Sequence, residues 1–270
     1  MKLTVGATSV TIMPPDYGYS VEIHMAMKRL ELSNKKYSYF DAGIANDTTI
    51  LTIPTMHLNR SEAKDLSDFL LDEDTGRTNE ITLDLETDRG FYPAGPHYGD
   101  TGTFTLKLLK RNISEMLQDP YLYFKHSFEF VVIPDQSYTL PVLSPEGSLQ
   151  IGDVTGLRYP PEGFSVKNWY GYEAIAGFGG NVSGIDEKTN SQESHFNLIC
   201  NHANASNVTD YLIRYGRSSQ FTMITQTNYY AFGIENGSND TYDVKLADNI
   251  LKCTHDNFNV WNIPVKLWRI

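Results

Sequence analysis

The feature that most constrains this chain is a succession of short matches that occurs twice. His57-Leu58-Asn59-Arg60-Ser61 is followed by Asp68-Phe69-Leu70, Gly76-Arg77, Ile81-Thr82-Leu83, Phe91-Tyr92-Pro93-Ala94-Gly95, Lys107-Leu108 and His126. The series returns as His202-Ala203-Asn204-Ala205-Ser206, Asp210-Tyr211-Leu212, Gly216-Arg217, Phe221-Thr222-Met223, Tyr229-Tyr230-Ala231-Phe232-Gly233, Lys245-Leu246 and His255. The separation drifts from 145 to 129 residues and shortens where loops can lose residues. Each match is weak alone, but seven in one order point to two copies of a unit. That unit reads as strand, cap, short helix, Gly-Arg turn, strand, aromatic-Gly loop, strand and final strand. A chain of 270 residues has room for two such units. The spacing predicts a first β-barrel over residues 1–134 and a second over 170–270. Pro141, Pro145, Pro160 and Pro161, with Pro134 just before them, mark residues 135–169 as a loop-rich connection.

The local patterns predict a mainly β fold with one short helix per unit. Val21, Ile23, Met25 and Met27 alternate with polar neighbours, which is strand periodicity. Runs at 48–54, 80–85, 103–109 and 127–133 are β-branched or aromatic and end at turn formers. Residues 61–72 differ, because Ala63, Leu66, Phe69 and Leu70 recur at helical spacing with charges between them. Asn59 followed by Glu62 resembles a capping box: the amide oxygen accepts an orphan backbone N–H, and the glutamate reaches back. The repeat predicts a second helix near 205–215. A barrel or sandwich with a helix over its open end is the expected architecture.

Charge and motifs narrow the functions. The chain carries 33 acids against 22 bases, a net charge of −11, which argues against gripping nucleic acid by its phosphates. No apolar run approaches the roughly 20 residues of a membrane helix, and the opening MKLTVGATSVTIMPPDYG has no long apolar core of a signal peptide. There is no G-x-S-x-G elbow, phosphate-binding loop or H-E-x-x-H helix, and the Gly177–Gly184 run lacks dinucleotide spacing. No catalytic residue, cofactor site or metal site is assigned, and the protein is expected not to be an enzyme. Asp72-Glu73-Asp74 reads as a solvated turn. The aromatic-Gly loops supply the candidate interface residues Phe91, Tyr92, Tyr229 and Tyr230, because exposed aromatics beside glycine suit contact with a neighbour.

Two C-x-H pairs, Cys200-Asn201-His202 and Cys253-Thr254-His255, leave three readings open. Side by side on strands they would offer Cys₂His₂ to zinc, since residues i and i+2 share a face. They would alternatively form a Cys200–Cys253 disulfide, or sit as ordinary core residues. His57 and His126 hold the matching positions of the first copy without a nearby cysteine, which favours the core reading. Eight N-x-[ST] sequons, among them Asn46, Asn181, Asn207 and Asn239, read as turn chemistry in a chain without a secretory signal.

Asn59–Leu71 (NRSEAKDLSDFLL), the Gly76-Arg77 turn and the terminal His255–Leu267 (HDNFNVWNIPVKL) together resemble the tail-tube family of β-barrels in tailed bacteriophages. More narrowly, they are similar to minor tail, distal-tail and baseplate-hub proteins. The resemblance covers both repeats but not 134–195. It implies a structural protein of the virion tail, made in the host cytoplasm, that assembles into a ring around the DNA channel. It implies a homo-oligomer of six barrels: a trimer if each chain supplies two, a hexamer if each supplies one. Adjacent tail-tube and tail-tip proteins would be its partners, with DNA enclosed rather than bound and no membrane contact. The acidic balance suits a lumen along which DNA slides. A carbohydrate-binding β-sandwich or glycan-active enzyme is the alternative, suggested by Trp169-Tyr170-Gly171-Tyr172.

Overall fold

The computed structural model describes residues 1–12, 20–31, 37–43, 46–84, 103–109, 116–117, 124–133, 147–176, 182–226, 229–233, 240–257 and 260–270. The first half runs β1 (Lys2–Val5), β2 (Thr8–Thr11), β3 (Ser20–His24), β4 (Met27–Glu31), β5 (Tyr37–Asp41), β6 (Thr48–Leu58), α1 (Arg60–Leu71), β7 (Ile81–Asp84), β8 (Thr103–Leu108), β9 (Met116–Leu117) and β10 (Phe124–Ile133). The second runs β11 (Leu149–Ile151), β12 (Val154–Leu157), β13 (Ser165–Ala176), β14 (Val182–Cys200), α2 (His202–Arg214), β15 (Phe221–Ile224), β16 (Thr241–Leu246), β17 (Ile250–Asn257) and β18 (Val260–Arg269).

The fold is mainly β, and the pairings reveal the duplication. In the first half the strands lie in the order β2-β1-β7-β8-β10-β6-β3. In the second the order is β12-β11-β15-β16-β18-β14-β13, the same element in every place. The helices agree: α1 packs on β2, β6 and β10, and α2 packs on their counterparts β12, β14 and β18. The turns β1–β2 and β11–β12 both carry a glycine at φ 56°, Gly6 and Gly152. Alternation decides which face is buried. On β18, Trp261, Ile263, Val265 and Leu267 point inward, and on β8 Phe104 and Leu106 do so. Both helices contribute an apolar stripe, Ala63, Leu66, Phe69 and Leu70 from α1 and Ala205, Val208, Leu212 and Ile213 from α2, to one contiguous core.

The two helix starts show the shared local chemistry. Asn59 Oδ1 accepts the Glu62 N–H at 3.0 Å while the Asn59 N–H donates to Glu62 Oε2 at 3.0 Å, completing the capping box. Asn201 caps α2 with one bond, its Oδ1 accepting the Asn204 N–H at 2.9 Å. After each helix the chain folds back closely at a glycine. The Gly76 N–H donates to Phe69 O at 2.8 Å and the Gly216 N–H to Tyr211 O at 3.1 Å. A Cβ on Gly76 would stand 2.9 Å from Phe69 O.

Four expectations need correction. First, the described strands do not close into two barrels. They form one open 16-stranded antiparallel sheet whose path ends on β12 and β2, with β4–β5 as a separate ribbon. Second, the stretch read as a loop-rich connection, 135–169, contains β11, β12 and the start of β13, all paired within the second half. Third, the repeat read from the sequence sets Asn204 against Asn59, three residues late at the second helix. Asn201, not Asn204, is the counterpart of Asn59, and α2 begins at His202. Asn204 is a fully buried helix residue. Fourth, His126 and His255 are not equivalent, since His126 lies within β10, whose counterpart is β18, whereas His255 lies on β17.

Candidate functional site

The candidate functional feature of this architecture is the junction between its halves. β17 pairs with β18 from Thr254 to Asn257, bulges near His255, and gives its other half to β3 of the first unit. The register there sets Ile250 opposite His24, Leu251 opposite Ile23, Cys253 opposite Val21 and Thr254 opposite Ser20. Pro264 lies between the β18 residues paired to β17, which end at Asn262, and those paired to β16, which begin at Leu267. A proline has no N–H to extend a ladder, so the edge of β18 that faces β16 and β17 has a gap where one hands over to the other, while its pairing with β14 runs through. Leu251, Cys253, Val21 and Ile23 are buried on one face of the crossing. On the other face Lys252 Nζ lies 2.6 Å from Glu22 Oε1, and that bond holds the Glu22 carboxyl below its usual range.

A second contact lies at the base of the β4–β5 ribbon. The second unit's Gly216-Arg217 turn inserts a guanidinium that is 5% exposed. Its Nη1 donates to Asp47 Oδ2 at 2.6 Å, Nη2 to Asp47 Oδ1 at 3.0 Å and Nε to Asp41 Oδ2 at 2.8 Å. Ser218 Oγ adds a bond to Asp41 at 3.3 Å. The two carboxylates are themselves held by backbone: Ala26 N–H donates to Asp47 at 2.7 Å and Gly43 N–H to Asp41 at 2.9 Å. Burial opposes the Arg217 charge, but its bonds to Asp47 and Asp41 outweigh this and raise its pKa. Burial likewise pushes Asp41 up, and Arg217 with the Gly43 N–H brings it below the ordinary value. A buried guanidinium shared by two carboxylates fixes position, because the planar fork accepts few geometries.

Phe91 and Tyr92, two of the four sequence-derived interface residues, lie outside the described residues. Tyr229 and Tyr230 are 38% and 40% exposed. Tyr229 stacks on Tyr159 with centroids 3.9 Å apart, and Tyr230 is the described non-glycine residue with positive φ, 49°. Phe232 next to them is buried against Tyr242. The loop is therefore pinned by its own chain, with the two tyrosines half-open.

The C-x-H residues occupy the core of the second unit. Cys200 and Cys253 are buried and are not joined in a disulfide, which removes that reading. Cys253 Sγ lies 3.5 Å from Thr209 Oγ1, and burial pushes the thiol up to about 11. The His202 and His255 rings both approach Trp261, at 6.0 and 5.0 Å between centroids. Burial lowers the His255 pKa. Among the described residues no group of three or more His, Cys, Asp or Glu is placed to hold a metal ion. Trp169, from the aromatic run that suggested sugar binding, packs on Trp268 with centroids 4.9 Å apart. An open cleft of about 450 Å³ beside the start of β13 is lined by Pro160, Phe164, His195, Phe196 and Asn262. Its His195 contacts Glu193, and burial, only partly offset by that carboxylate, lowers the imidazole pKa. Among the described residues no helix is long and apolar enough to cross a membrane.

Sequence reasoning found the Gly-Arg turn in both units but not the burial of Arg217. It also missed Asp41 and Asp47, which sit beside the hairpin rather than within a motif. No protein-family model and no curated protein matches the chain.

Proposed function

We propose that this chain is a structural protein of a bacteriophage tail tip, of the minor tail, distal-tail or baseplate-hub kind, and that it acts by forming a ring around the DNA channel without catalysis. The observation that carries this reading is the junction: two like units joined edge to edge by β17 on β3. A contact between like units that uses different edges on its two sides propagates head to tail and closes into a ring when the rotation allows it. The net charge of −11 supports a lumen that does not hold phosphates. With two units per chain, three copies supply six, so the ring is a homotrimer with pseudo-sixfold symmetry that adapts a trimeric hub to a hexameric tube. Its further partners are the neighbouring tail-tube and tail-tip proteins, and its place is the virion tail.

Native mass spectrometry of the purified chain, with electron microscopy of the particles, tests the reading. A trimeric ring with a central channel is the expected result. A hexamer would keep the ring and change the stoichiometry. A monomer both in isolation and in assembled particles, or a monomer that binds glycans, would replace the ring with the β-sandwich lectin alternative.

A further inference from the structure

Away from the junction, β13, β14 and β18 run side by side and turn one face from the core. Alternation buries Phe196 and Leu198 of β14 and puts His195, Asn197 and Ile199 on the opposite side. The register sets His195 between Ser165 of β13 and Lys266 of β18, and Ile199 beside Asn262 of β18. Together with the chain that leads into β13, from Pro160 to Phe164, this row encloses the open cleft of about 450 Å³.

The wall of the cleft is apolar and held in place. Phe164 meets Phe196 edge-on with centroids 4.9 Å apart and Tyr229 at 6.4 Å, and Tyr229 is in turn stacked on Tyr159. The turn below it is closed by the Gly163 N–H, which donates to Pro160 O at 3.1 Å, with Gly163 at φ 73°. The floor is polar. Asn197 is exposed, and the Asn262 amide oxygen has no hydrogen-bond partner among the described residues, so the floor keeps unused bonding capacity. Burial lowers the His195 pKa, and a neutral imidazole carries one donor and one acceptor. Charge beside the cleft is matched. His195 contacts Glu193, Lys266 Nζ lies 2.9 Å from Asp248, and exposed Glu162 and Lys167 contribute one charge of each sign.

We propose that this cleft binds an uncharged saccharide, whose C–H face packs against Phe164 and Pro160 while its hydroxyls bond to Asn197 and His195 and satisfy the Asn262 amide. Three features select that class. The volume falls within the about 300–1,000 Å³ of small-molecule sites, which suits a short saccharide and not a folded partner. The matched charges leave no anchor for a phosphate or a carboxylate, which are held by cationic forks. Side-chain amides and a neutral imidazole suit hydroxyls, which donate and accept at one atom, and the negative face of an aromatic ring suits the C–H groups between them. The inference does not rest on the ring reading, because the cleft is built within the second unit alone.

Saturation-transfer NMR on the full chain tests it with named probes. These are maltose, cellobiose, lactose and N,N′-diacetylchitobiose as uncharged disaccharides, digalacturonate as an acidic one, and a tetraproline peptide. At millimolar concentration, transfer to at least one uncharged disaccharide is expected. Asn197→Ala should weaken that binding about three- to tenfold, the loss of one hydrogen bond. Phe164→Ala should remove it, with circular dichroism to check the fold, and Asn197→Ala decides alone if Phe164→Ala does not fold. Lys64→Ala, on the exposed side of α1, should bind as the wild type does. No transfer to any uncharged probe, transfer only to digalacturonate or to the peptide, or binding that Asn197→Ala leaves unchanged would each overturn the proposal. Native mass of the same sample reports the ring separately. A monomer that binds through the cleft removes the ring and keeps this site, and a ring that binds no saccharide keeps the ring and removes the site.

Discussion

Arg77 and Arg217 follow the same glycine, after the same helix, in two copies of one unit, yet only one is buried. Arg217 is enclosed by Asp41 and Asp47 of the other unit, and Arg77 lies open beside Glu73. The turns that present them differ in length, since Gly76 lies five residues beyond Leu71, the last of α1, and Gly216 two beyond Arg214, the last of α2. The second unit's turn docks on Asp41 and Asp47 of the first, whereas Arg77 pairs with Glu73 of its own turn. A duplicated fold thus turns one local motif into an internal clamp at one position and an exposed cation at the other.

The largest test of this contrast replaces each arginine. Arg217→Met leaves Asp47, whose side chain is 1% exposed, without the bidentate partner that offsets its charge. Breaking a buried pair on one side costs about 3–5 kcal/mol. Arg77→Met removes an exposed i,i+4 pair and should change stability of the isolated chain by less than about 0.5 kcal/mol. Urea denaturation of both variants measures the gap, and equal losses would mean that Arg217 does not clamp the units.

The glycines reverse the contrast. A Cβ on Gly76 meets backbone at 2.9 and 3.0 Å, Phe69 O and Leu70 Cα, which cannot yield without moving the helix end. On Gly216 the nearest atoms, Leu212 Cα, Leu212 Cδ2 and Phe221 Cε1, stand at 3.2 Å, and two of the three are side-chain atoms that can shift. Gly76→Ala should therefore cost more than Gly216→Ala, within the 1–3 kcal/mol range of overpacking. Thermal melts of the pair decide the order.

The unit was more legible in the sequence than the junction. The capping signature Asn59-x-x-Glu62 and the spacing of Ala63, Leu66, Phe69 and Leu70 are local, so the first helix could be read to within a residue. The second helix was displaced because Asn204-Ala205-Ser206 looks like Asn59-Arg60-Ser61, and a cap is defined by backbone angles that letters do not carry. Asn201 has φ −68° and ψ 169°, while Asn204 is inside the helix. β11 and β12 have only three and four residues, too few for alternation to register among prolines. The pairing of β17 with β3 joins residues far apart in the chain. Its alternating Leu251, Cys253 and His255 show a strand, but nothing in them names the partner.

The caps give a smaller contrast. Asn59→Ala and Asn201→Ala each remove one side-chain acceptor from a helix start, at about 1 kcal/mol. The Asn201 bond is partly buried and the Asn59 bond is exposed, so water replaces the second more readily. The loss at Asn201 should be the larger, and amide hydrogen exchange at Asn204 and Glu62 would report each cap directly. Equal losses would show that the first turn of α2 is as wet as that of α1.

The smallest effect is a pH dependence that only one unit's turn should have. Asp41 has a folded pKa below its ordinary 3.8, because the Arg217 bond and the Gly43 N–H outweigh the opposing burial. A depressed carboxyl binds fewer protons folded than unfolded. Its contribution to stability is therefore complete above about pH 4 and is lost as pH falls through the folded value. Asp210 acts in the opposite sense. Burial raises its pKa despite the Arg214 partner, so its charged form costs stability and acid relieves that cost. Replacing Arg217 by Met removes the main support of the Asp41 shift and leaves Asp210 untouched. The wild type should thus lose stability more steeply than Arg217→Met between about pH 4 and pH 3, while Arg77→Met follows the wild-type slope. Parallel slopes for all three proteins would show that the clamp does not set the ionisation of Asp41.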